Sequence, residues 1–335
     1  MNIYSSVDNT NIDKIICLFN SVWINSNKEL RNKLKFYLLV DKLPDNLPYI
    51  PDEIKERLNI KPLNLNNEWI DLLNSFNSTF YKKSNWCKND MNFARFLIFN
   101  HFPEIDRFVY LDWDMIVQED IFKLEDYYNN KENMIIAECG KETIFSNIFT
   151  EEFRLQKNYQ SLFIKSELLK IKYHRGYKLL SNFIENPEKS FIIKGFNSGF
   201  YIVSKYHFEE NYMRKLLKKL ITVQKKYNCF NFGTQVVMNL MHVNERIYID
   251  RSWNTLPKDD CSNIKIIHYN GRKKPWNVNE HRKIDEIWEK YYFDLYPEEK
   301  ESYEKKKNKE VKKKSIKREK KIINKNLINY LINKR

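Results

Sequence analysis

The chain has 335 residues, of which 42% are hydrophobic and 15% aromatic, and it carries a formal net charge of +14. This composition excludes a protein that is disordered throughout, and only 6 glycines exclude a collagen-like repeat. The length predicts one large α/β domain with appendages, or two domains. The charge is concentrated in residues 298–335, which hold 15 Lys and Arg against 6 Asp and Glu. Because the remaining body has little surplus charge, we disfavour a nucleic-acid-binding protein.

The five cysteines indicate a reducing compartment. Their number is odd and no two are closer than 32 residues, which disfavours both zinc pairs and a disulfide framework: Cys17, Cys87, Cys139, Cys229 and Cys261. No segment approaches eighteen uncharged apolar residues, and the first twenty residues lack the basic and apolar regions of a secretory signal. We therefore expect a cytoplasmic protein without a membrane span.

The first elements predict a parallel sheet. Asn2–Ser6 has a β-type pattern, and apolar residues recur at helical spacing from Ile12 to Trp23. Leu34–Val40 then reads as a buried strand, which completes a β-α-β unit. Such units form a parallel sheet whose strand C-termini can bind a nucleotide.

Later segments continue the alternation of helices and strands. We predict helices at Asp52–Leu58, Asn89–Phe102, His207–Tyr227 and Gly233–Met241. We predict strands at Phe108–Leu111, Tyr248–Trp253 and Ile264–His268, and two short strands within Phe191–Val203 around Asn197-Ser198-Gly199. Residues 120–190 mix helical and loop patterns that give no clear order.

Two aspartates, Asp112 and Asp114, directly follow the predicted strand Phe108–Leu111. Side chains at positions i and i+2 of a strand point to the same side, so both carboxylates can reach one point. A divalent cation explains such a pair, because without one the charges repel and one carboxylate is driven to protonate. The alternative is a solvated turn with two independent acids, which placement after a buried strand disfavours.

A second polar segment, His268–Trp276, follows the predicted strand at Ile264–His268. A neutral His268 imidazole can complete a metal site, Gly271 lets a phosphate approach the backbone, and Lys274 offers a cation to phosphate oxygens. The alternative is a surface turn with a lone histidine and a charge run. Together with the aspartate pair, the segment indicates a site for a metal-bound diphosphate.

Five ordered blocks between Asn2 and Trp276 resemble the family 8 retaining glycosyltransferases, which include glycogenin, bacterial lipooligosaccharide galactosyltransferases and plant galacturonosyltransferases. The blocks are Ile3–Asn9, Phe93–Phe96 with Pro103–Ile121, Phe196–Phe200, Gly233–Asn239 and His268–Trp276. The long block around Asp112-Trp113-Asp114 is the most specific. The resemblance implies a GT-A fold, that is, an α/β domain with a Rossmann-like, mostly parallel central sheet flanked by helices.

The resemblance also implies residue roles. Asp112, Asp114 and His268 would bind a divalent cation, manganese first and magnesium as the alternative, and mixed carboxylate and imidazole ligands suit manganese. Arg95 and Lys274 would hold oxygens of a UDP-sugar donor, with Gly271 beside its diphosphate. The other predicted donor contacts lie in four of the blocks: Ser5, Ser6, Asp8, Asn9, Trp113, Asn197, Ser198 and Gln235.

The implied activity is transfer of a hexosyl group, with retention, to a hydroxyl group of a glycan, lipid-linked or protein acceptor. Gln235, Asn197 and Lys274 are the predicted catalytic residues. A front-face displacement and a double displacement through a side chain such as Gln235 both remain open. A non-catalytic protein that binds a sugar nucleotide or a partner is the alternative, which the complete set of metal and leaving-group residues disfavours.

Two departures from the family pattern affect the donor. The turn after the first strand reads Val7-Asp8-Asn9-Thr10, where the family often has Asp-Asp-Asn-Tyr. Thr234 precedes Gln235 where bacterial members often have aspartate. Uridine stays the first choice of base, and the donor sugar is left open.

The C-terminus reads as a basic helical tail. We place the GT-A domain at residues 1–297 and the tail at residues 298–335. Ile316, Ile323, Leu327 and Leu331 fall near one helical face with lysines around it, a pattern typical of a helix that contacts an anionic membrane surface. A peripheral location at the inner membrane face follows from that interpretation. The alternatives are a solvated extension and a helix that packs on a partner chain.

Overall fold

The computed structural model describes residues 1–80, 90–127, 133–137, 181, 183–185, 194–230, 233–258, 263–278 and 281–332. Beyond residue 310 it describes the side chains of residues 312, 313, 316 and 320. The chain forms two compact units, Met1–His268 and Tyr269–Arg335. The two units meet at 268/269, whereas we predicted a boundary between the GT-A domain and the tail at 297/298. That domain boundary stays a prediction.

A seven-stranded sheet organises the first unit. In chain order the strands are β1 Asn2–Val7, β2 Lys35–Val40, β3 Leu58–Pro62, β4 Arg107–Leu111, β5 Met115–Val117, β6 Met134–Ala137, β7 Phe200–Ser204, β8 Arg246–Ile249 and β9 Ile266–His268. The sheet order is β3-β2-β1-β4-β7-β6-β8, while β5 and β9 form a separate antiparallel pair. Among the described strands of the large sheet, only β7 runs against its neighbours. The predicted mostly parallel α/β sheet is confirmed.

Helices flank the sheet on both faces. The helices of the first unit are α1 Ile12–Asn25, α2 Asp52–Lys55, α3 Asn67–Phe80, α4 Met91–Ala94, α5 Ile98–His101, α6 Glu210–Tyr227 and α7 Gly233–Leu240, and those of the second unit are α8 Asp285–Leu295 and α9 Pro297–Ile332. On one face, Phe19 of α1 packs on Phe36 of β2 with ring centroids 4.7 Å apart. On the other, the Tyr4 hydroxyl of β1 donates to the carbonyl of Ala94 at 2.7 Å. Burial on both faces explains why β2 and β4 are nearly continuous apolar runs.

The order of the strands places the polar turns. β1 lies between β2 and β4 and runs parallel to both, so the C-terminal ends of all three lie at one edge of the sheet. Asp8, Asp41 and Asp112 each follow the end of one of these strands. A ligand crevice is expected at the point where consecutive connections leave in opposite directions, which here is between β1 and β4.

Two predicted helices differ from those observed: one is divided in two and the other begins later. The helix predicted at Asn89–Phe102 is two short helices, because hydrogen bonds from Phe96 to Phe93 and from Leu97 to Ala94 tighten the chain between α4 and α5. The helix predicted at His207–Tyr227 starts later, at Glu210. Glu209 caps it by accepting from the backbone of Asn211 and Tyr212, and a separate 3-10 turn spans Lys205–Phe208.

The strand predicted at Tyr248–Trp253 is also wrong in its second half. β8 ends at Ile249, and Arg251–Asn254 forms a 3-10 helix. Asp250 causes the change, since its carboxylate accepts from the backbone N–H of Ser252 at 2.9 Å. Within Phe191–Val203, the second predicted strand is confirmed as β7, whereas residues 191–193 lie outside the described residues. Five of the described strands and α-helices were not predicted: β3, β5, β6, α3 and α8.

The second unit contains α8 and α9. The Tyr303 hydroxyl of α9 donates to the carbonyl of Pro275 and to Glu289 of α8, each at 2.8 Å. Lys307 pairs with both oxygens of Glu289 at 2.9 Å. The first turns of α9 therefore belong to the packed part of this unit. Ile316 of the predicted apolar face is exposed, and Ile323, Leu327 and Leu331 lie outside the described side chains.

None of the helices in the described part of the chain combines the length and apolar character that crossing a membrane requires.

Candidate active site

Three side chains converge at the end of β4. The Nε2 atom of His268 lies 3.3 Å from an oxygen of Asp114 and 3.7 Å from an oxygen of Asp112. One ligand atom from each of the three residues falls within 4.8 Å of the others. The predicted convergence is confirmed, but strand alternation is not its cause. β4 ends at Leu111 and both aspartates lie in the turn to β5, where pairing of Met115 with His268 brings β9 alongside.

Asp112 is oriented by two buried neighbours. Its Oδ1 atom accepts from the Tyr110 hydroxyl at 2.7 Å and from the Arg95 guanidinium at 3.2 Å. Burial raises the pKa of Tyr110, which keeps the hydroxyl a donor. Burial alone would lower the pKa of Arg95, but Tyr110 and Asp112 outweigh it and raise that pKa above its ordinary value. Both contacts fall on Oδ1, so the Oδ2 atom remains on the side of His268.

Arg95 reaches a second part of the site. Its guanidinium donates to the Ser198 carbonyl at 2.8 Å and to the Ser198 hydroxyl at 3.3 Å, and its Nε donates to the carbonyl of Asn92. The structure thus engages Arg95 with Asp112 and Ser198, whereas we expected it to hold the donor. A direct donor contact of Arg95 stays a prediction.

His268 is buried and held on both sides. Its Nδ1 atom lies 2.9 Å from the amide oxygen of Asn254. Its ring packs on Gly199, where an added Cβ atom would lie only 2.2 Å from Cε1 of His268. Residue 199 must therefore be glycine for the imidazole to occupy this position.

The segment that precedes β7 carries the predicted sugar-binding residues. The Asn197 side chain accepts from the Gly199 backbone at 2.9 Å, and the Gly199 carbonyl accepts from the Asp112 backbone at 2.9 Å. Fully buried Asn239 of α7 bonds both backbone groups of Phe196, at 3.1 and 3.0 Å, and donates to the carbonyl of Gln235 at 3.0 Å. Asn239 thereby joins the Asn197 segment to the helix turn of half-buried Gln235.

The predicted nucleotide turn lies at the end of β1. The hydroxyls of Ser5 and Ser6 are buried and donate to the carbonyls of Leu111 at 2.7 Å and Met91 at 3.2 Å. Asp8 accepts from the side chains of Thr10 and Asn11. The Asn9 backbone donates to Asp41 at 2.7 Å. The serines therefore tie β1 to its neighbours, while the aspartates shape the turn.

The remaining predicted residues are Trp113, Gly271 and Lys274. Trp113 is half-buried in the turn between the two aspartates. Gly271 and Lys274 belong to the second unit. There Gly271 has a φ of +88°, which favours glycine, and the Lys274 ammonium donates to the carbonyl of Tyr269 at 2.9 Å.

The three converging side chains fit a divalent cation. At metal–ligand distances of about 2.1 Å, adjacent ligand atoms of an octahedral site lie about 3 Å apart. The distances of 3.3 and 3.7 Å are close to that value. Two carboxylates and one imidazole form a donor set that first-row divalent ions accept.

Comparison with known proteins gives the family of the chain. The profile described as "Glycosyl transferase family 8" matches residues 2–280. The chain belongs to glycosyl transferase family 8. This family 8 chain is 25% identical over 224 residues to "Probable galacturonosyltransferase-like 9" of Arabidopsis thaliana, covering 62% of the chain and 50% of that protein. It is 27% identical over 214 residues to "Probable galacturonosyltransferase 14" of Arabidopsis thaliana, covering 60% and 36%. The chain thus spans half or less of the length of these two relatives.

Solved structures share the fold. The galactosyltransferase LgtC in complex with donor and acceptor sugar analogs aligns with a TM-score of 0.55 at 14% identity, over 88% of the family 8 chain and 96% of LgtC. The bifunctional glycosyltransferase WbbM aligns with a TM-score of 0.55 at 16% identity, over 91% and 51%. The predicted GT-A fold is confirmed by these likenesses.

Sequence reasoning missed four residues that organise the site of this family 8 chain: Asp41, Tyr110, Asn239 and Asn254. Asp41 had a signal, since it ends a predicted strand beside β1. Tyr110 is one of four aromatic or branched residues in the apolar run Phe108–Leu111, and nothing in the run sets it apart. The amide of Asn239 bonds the backbone of Phe196, and that of Asn254 bonds the Asn197 carbonyl and the His268 ring. These partners are distant in sequence, so local pattern does not reveal either residue.

Proposed function

We propose that the chain is a divalent-metal-dependent retaining glycosyltransferase that moves a hexosyl group from a UDP-sugar to a hydroxyl group. A glycan, a lipid-linked sugar or a protein would supply the acceptor. The observation that carries the proposal is the convergence of Asp112, Asp114 and His268, with ligand atoms within 4.8 Å of one another at the C-terminal edge of the sheet. Family membership supplies the reaction class.

The three ligand residues would hold the cation, preferably manganese. When bound, the cation would neutralise charge on the diphosphate leaving group. Tyr110 and Arg95 fix Oδ1 of Asp112 and leave its Oδ2 atom on the side of His268, where it would be available to hold the ion. Arg95 also links Asp112 to Ser198, which couples the metal ligands to the segment proposed to line the donor sugar.

The proposed reaction breaks the bond between the anomeric carbon and the diphosphate oxygen. The acceptor oxygen forms the new bond on the same face of the sugar, and its proton passes to the departing diphosphate. Asn197 and Gln235 are proposed to line the sugar near the anomeric carbon, where they orient it. In the double-displacement alternative, Gln235 attacks first, although an amide is a weak nucleophile.

The turn at the end of β1 is proposed to hold the uridine. Asp8 and Asn9 would contact the base and ribose, with Asp41 fixing the turn through the Asn9 backbone. Ser5 and Ser6 would contribute through backbone position, since their hydroxyls are engaged by Leu111 and Met91. Lys274 is proposed to interact with diphosphate oxygens, a role taken from the family resemblance.

The test is hydrolysis of a panel of UDP-sugars, which needs no knowledge of the acceptor. We expect hydrolysis of at least one donor that stops on chelation and returns with Mn²⁺. Asp114→Asn should abolish this activity with little loss of fold, because one charged ligand is removed. Asp126→Asn, an exposed aspartate in the same part of the chain, is the matched control and should behave as wild type.

Two results would count against the proposal. Hydrolysis by Asp114→Asn at saturating Mn²⁺ would remove the metal assignment. Metal-dependent binding of UDP-sugars without hydrolysis or transfer would instead favour the non-catalytic alternative.

A further inference from the structure

Asn254 lies at the end of the 3-10 helix Arg251–Asn254 and is only 6% exposed. Both ends of its amide are engaged. The Nδ2 group donates to the backbone carbonyl of Asn197 at 3.1 Å, and Oδ1 lies 2.9 Å from Nδ1 of His268. One side chain therefore connects the segment proposed to line the donor sugar with a proposed metal ligand.

The Asn197 carbonyl determines how this amide is oriented. A carbonyl oxygen can only accept a hydrogen bond, so the amide NH₂ must face it. The flipped amide would instead place two acceptor oxygens 3.1 Å apart in a buried position. With the NH₂ group committed to Asn197, the amide oxygen must face His268.

The amide oxygen in turn determines the tautomer of His268. An oxygen without hydrogen can accept only from a protonated Nδ1 atom. Nε2 of a neutral imidazole then has a free lone pair, and this atom is the one near Asp114 and Asp112, at 3.3 and 3.7 Å. Packing of the ring against Gly199 limits its rotation.

We propose that Asn254 is a positioning residue that presets His268 in its metal-binding tautomer and ties it to the Asn197 segment. The metal-affinity part of this inference rests on the cation site of the proposed function. Loss of a second-shell partner of this kind typically lowers metal affinity by about 10–100-fold.

Two substitutions separate the two hydrogen bonds. Asn254→Ala removes both, so we expect Mn²⁺ affinity to fall by about 10–100-fold. Asn254→Asp keeps an acceptor for the Nδ1 proton and loses the donor for Asn197, so we expect Mn²⁺ affinity near wild type and a lower turnover. Asn25→Ala is the matched control, because that amide also joins two segments, donating to the carbonyls of Ser21 and Val117 at 2.9 Å. It should bind Mn²⁺ as wild type does.

The first readout needs no metal. In protein labelled with ¹⁵N at histidine, His268 should show the Nδ1–H tautomer, with its signals assigned by their loss in His268→Gln. Asn254→Ala should shift His268 toward a mixture of tautomers, and Asn254→Asp should not. The second readout is Mn²⁺ affinity, from the EPR signal of the free ion. Circular dichroism and thermal unfolding establish that each variant is folded.

The outcomes distinguish this inference from the proposed function. Wild-type protein that does not bind Mn²⁺ would refute the metal site, whereas the tautomer measurement would still test Asn254. An Nε2–H tautomer in the wild type would overturn the inference. So would unchanged tautomer and Mn²⁺ affinity in a folded Asn254→Ala variant.

Discussion

Gly199→Ala adds a single methyl group, yet we expect it to displace the His268 side chain. The new Cβ atom would lie 2.2 Å from Cε1 and 2.7 Å from Nδ1 of His268, and 2.9 Å from the terminal methyl of Met115. Ordinary carbon contacts are about 3.5–4.0 Å, so the imidazole would have to move by roughly 1 Å or more. Met115 can rotate its methyl away. His268 cannot move as freely, because Asn254 and the pairing of β9 with β5 hold it.

The size of the effect follows from this crowding. Overpacking of a filled interior costs about 1–3 kcal/mol, and we expect the free energy of unfolding to fall by that amount in urea titrations. Displacement of a ligand atom should also lower Mn²⁺ affinity, by at least about tenfold. Ser198→Ala is the neighbouring control, since it removes a hydroxyl that contacts Arg95 and should keep both metal affinity and most of the stability. A Gly199→Ala protein with wild-type Mn²⁺ affinity would refute the argument that His268 needs this space.

Three further outcomes are expected. Lys274→Ala should lower turnover more than it raises the KM for the donor, because the lysine is expected to stabilise the negative charge that builds on the departing diphosphate. A change in KM alone would contradict this role in the transition state. Removal of residues 311–335 should leave donor hydrolysis intact and weaken binding to phosphatidylserine vesicles at low salt. Each Lys or Arg near an anionic surface contributes about 1 kcal/mol to such binding. Equal vesicle binding by the full-length and shortened proteins would exclude the membrane interpretation. Burial alone would raise the pKa of Glu289, but hydrogen bonds from Lys307 and Tyr303 outweigh it and lower that pKa. The resulting stability should be present above about pH 4.3 and lost as pH falls through the lowered pKa, and denaturant titrations from pH 7 to 3 should show a smaller loss in Glu289→Gln than in wild type.

Much of the fold could be predicted because the pattern is local. β1, α1, β2 and β4 are apolar runs or helical repeats whose burial follows from the parallel sheet. The break between α4 and α5 could not be predicted in this way, since the apolar spacing continues through it while the backbone N–H groups of Phe96 and Leu97 bond three residues back, to Phe93 and Ala94. The 3-10 helix at Arg251–Asn254 had a signal in Asp250, whose capping bond competes with the strand pattern.

Some residues of the site could also be predicted from sequence, and others could not. Asp112, Asp114 and His268 were identified because charged and imidazole groups after apolar strands are conspicuous. Asn254 was missed because its role depends on partners 57 and 14 residues away in the chain. A neutral amide carries no charge pattern, and its importance becomes evident only when both of its ends are seen to be engaged.

The reversed direction of β7 has a consequence for folding kinetics. Because β7 runs against β4, its first residue, Phe200, pairs with Leu111, and the start of one strand meets the end of the other. This pairing brings the segment before β7 to Asp112, and the proposed ligands meet once β5 also pairs with β9, which sets Met115 beside His268. Closing such long loops costs conformational entropy before the contacts stabilise the fold, so we expect the transition state for folding to lack most of the site. A cation bound by Asp112, Asp114 and His268 should consequently slow unfolding and leave the rate of folding nearly unchanged.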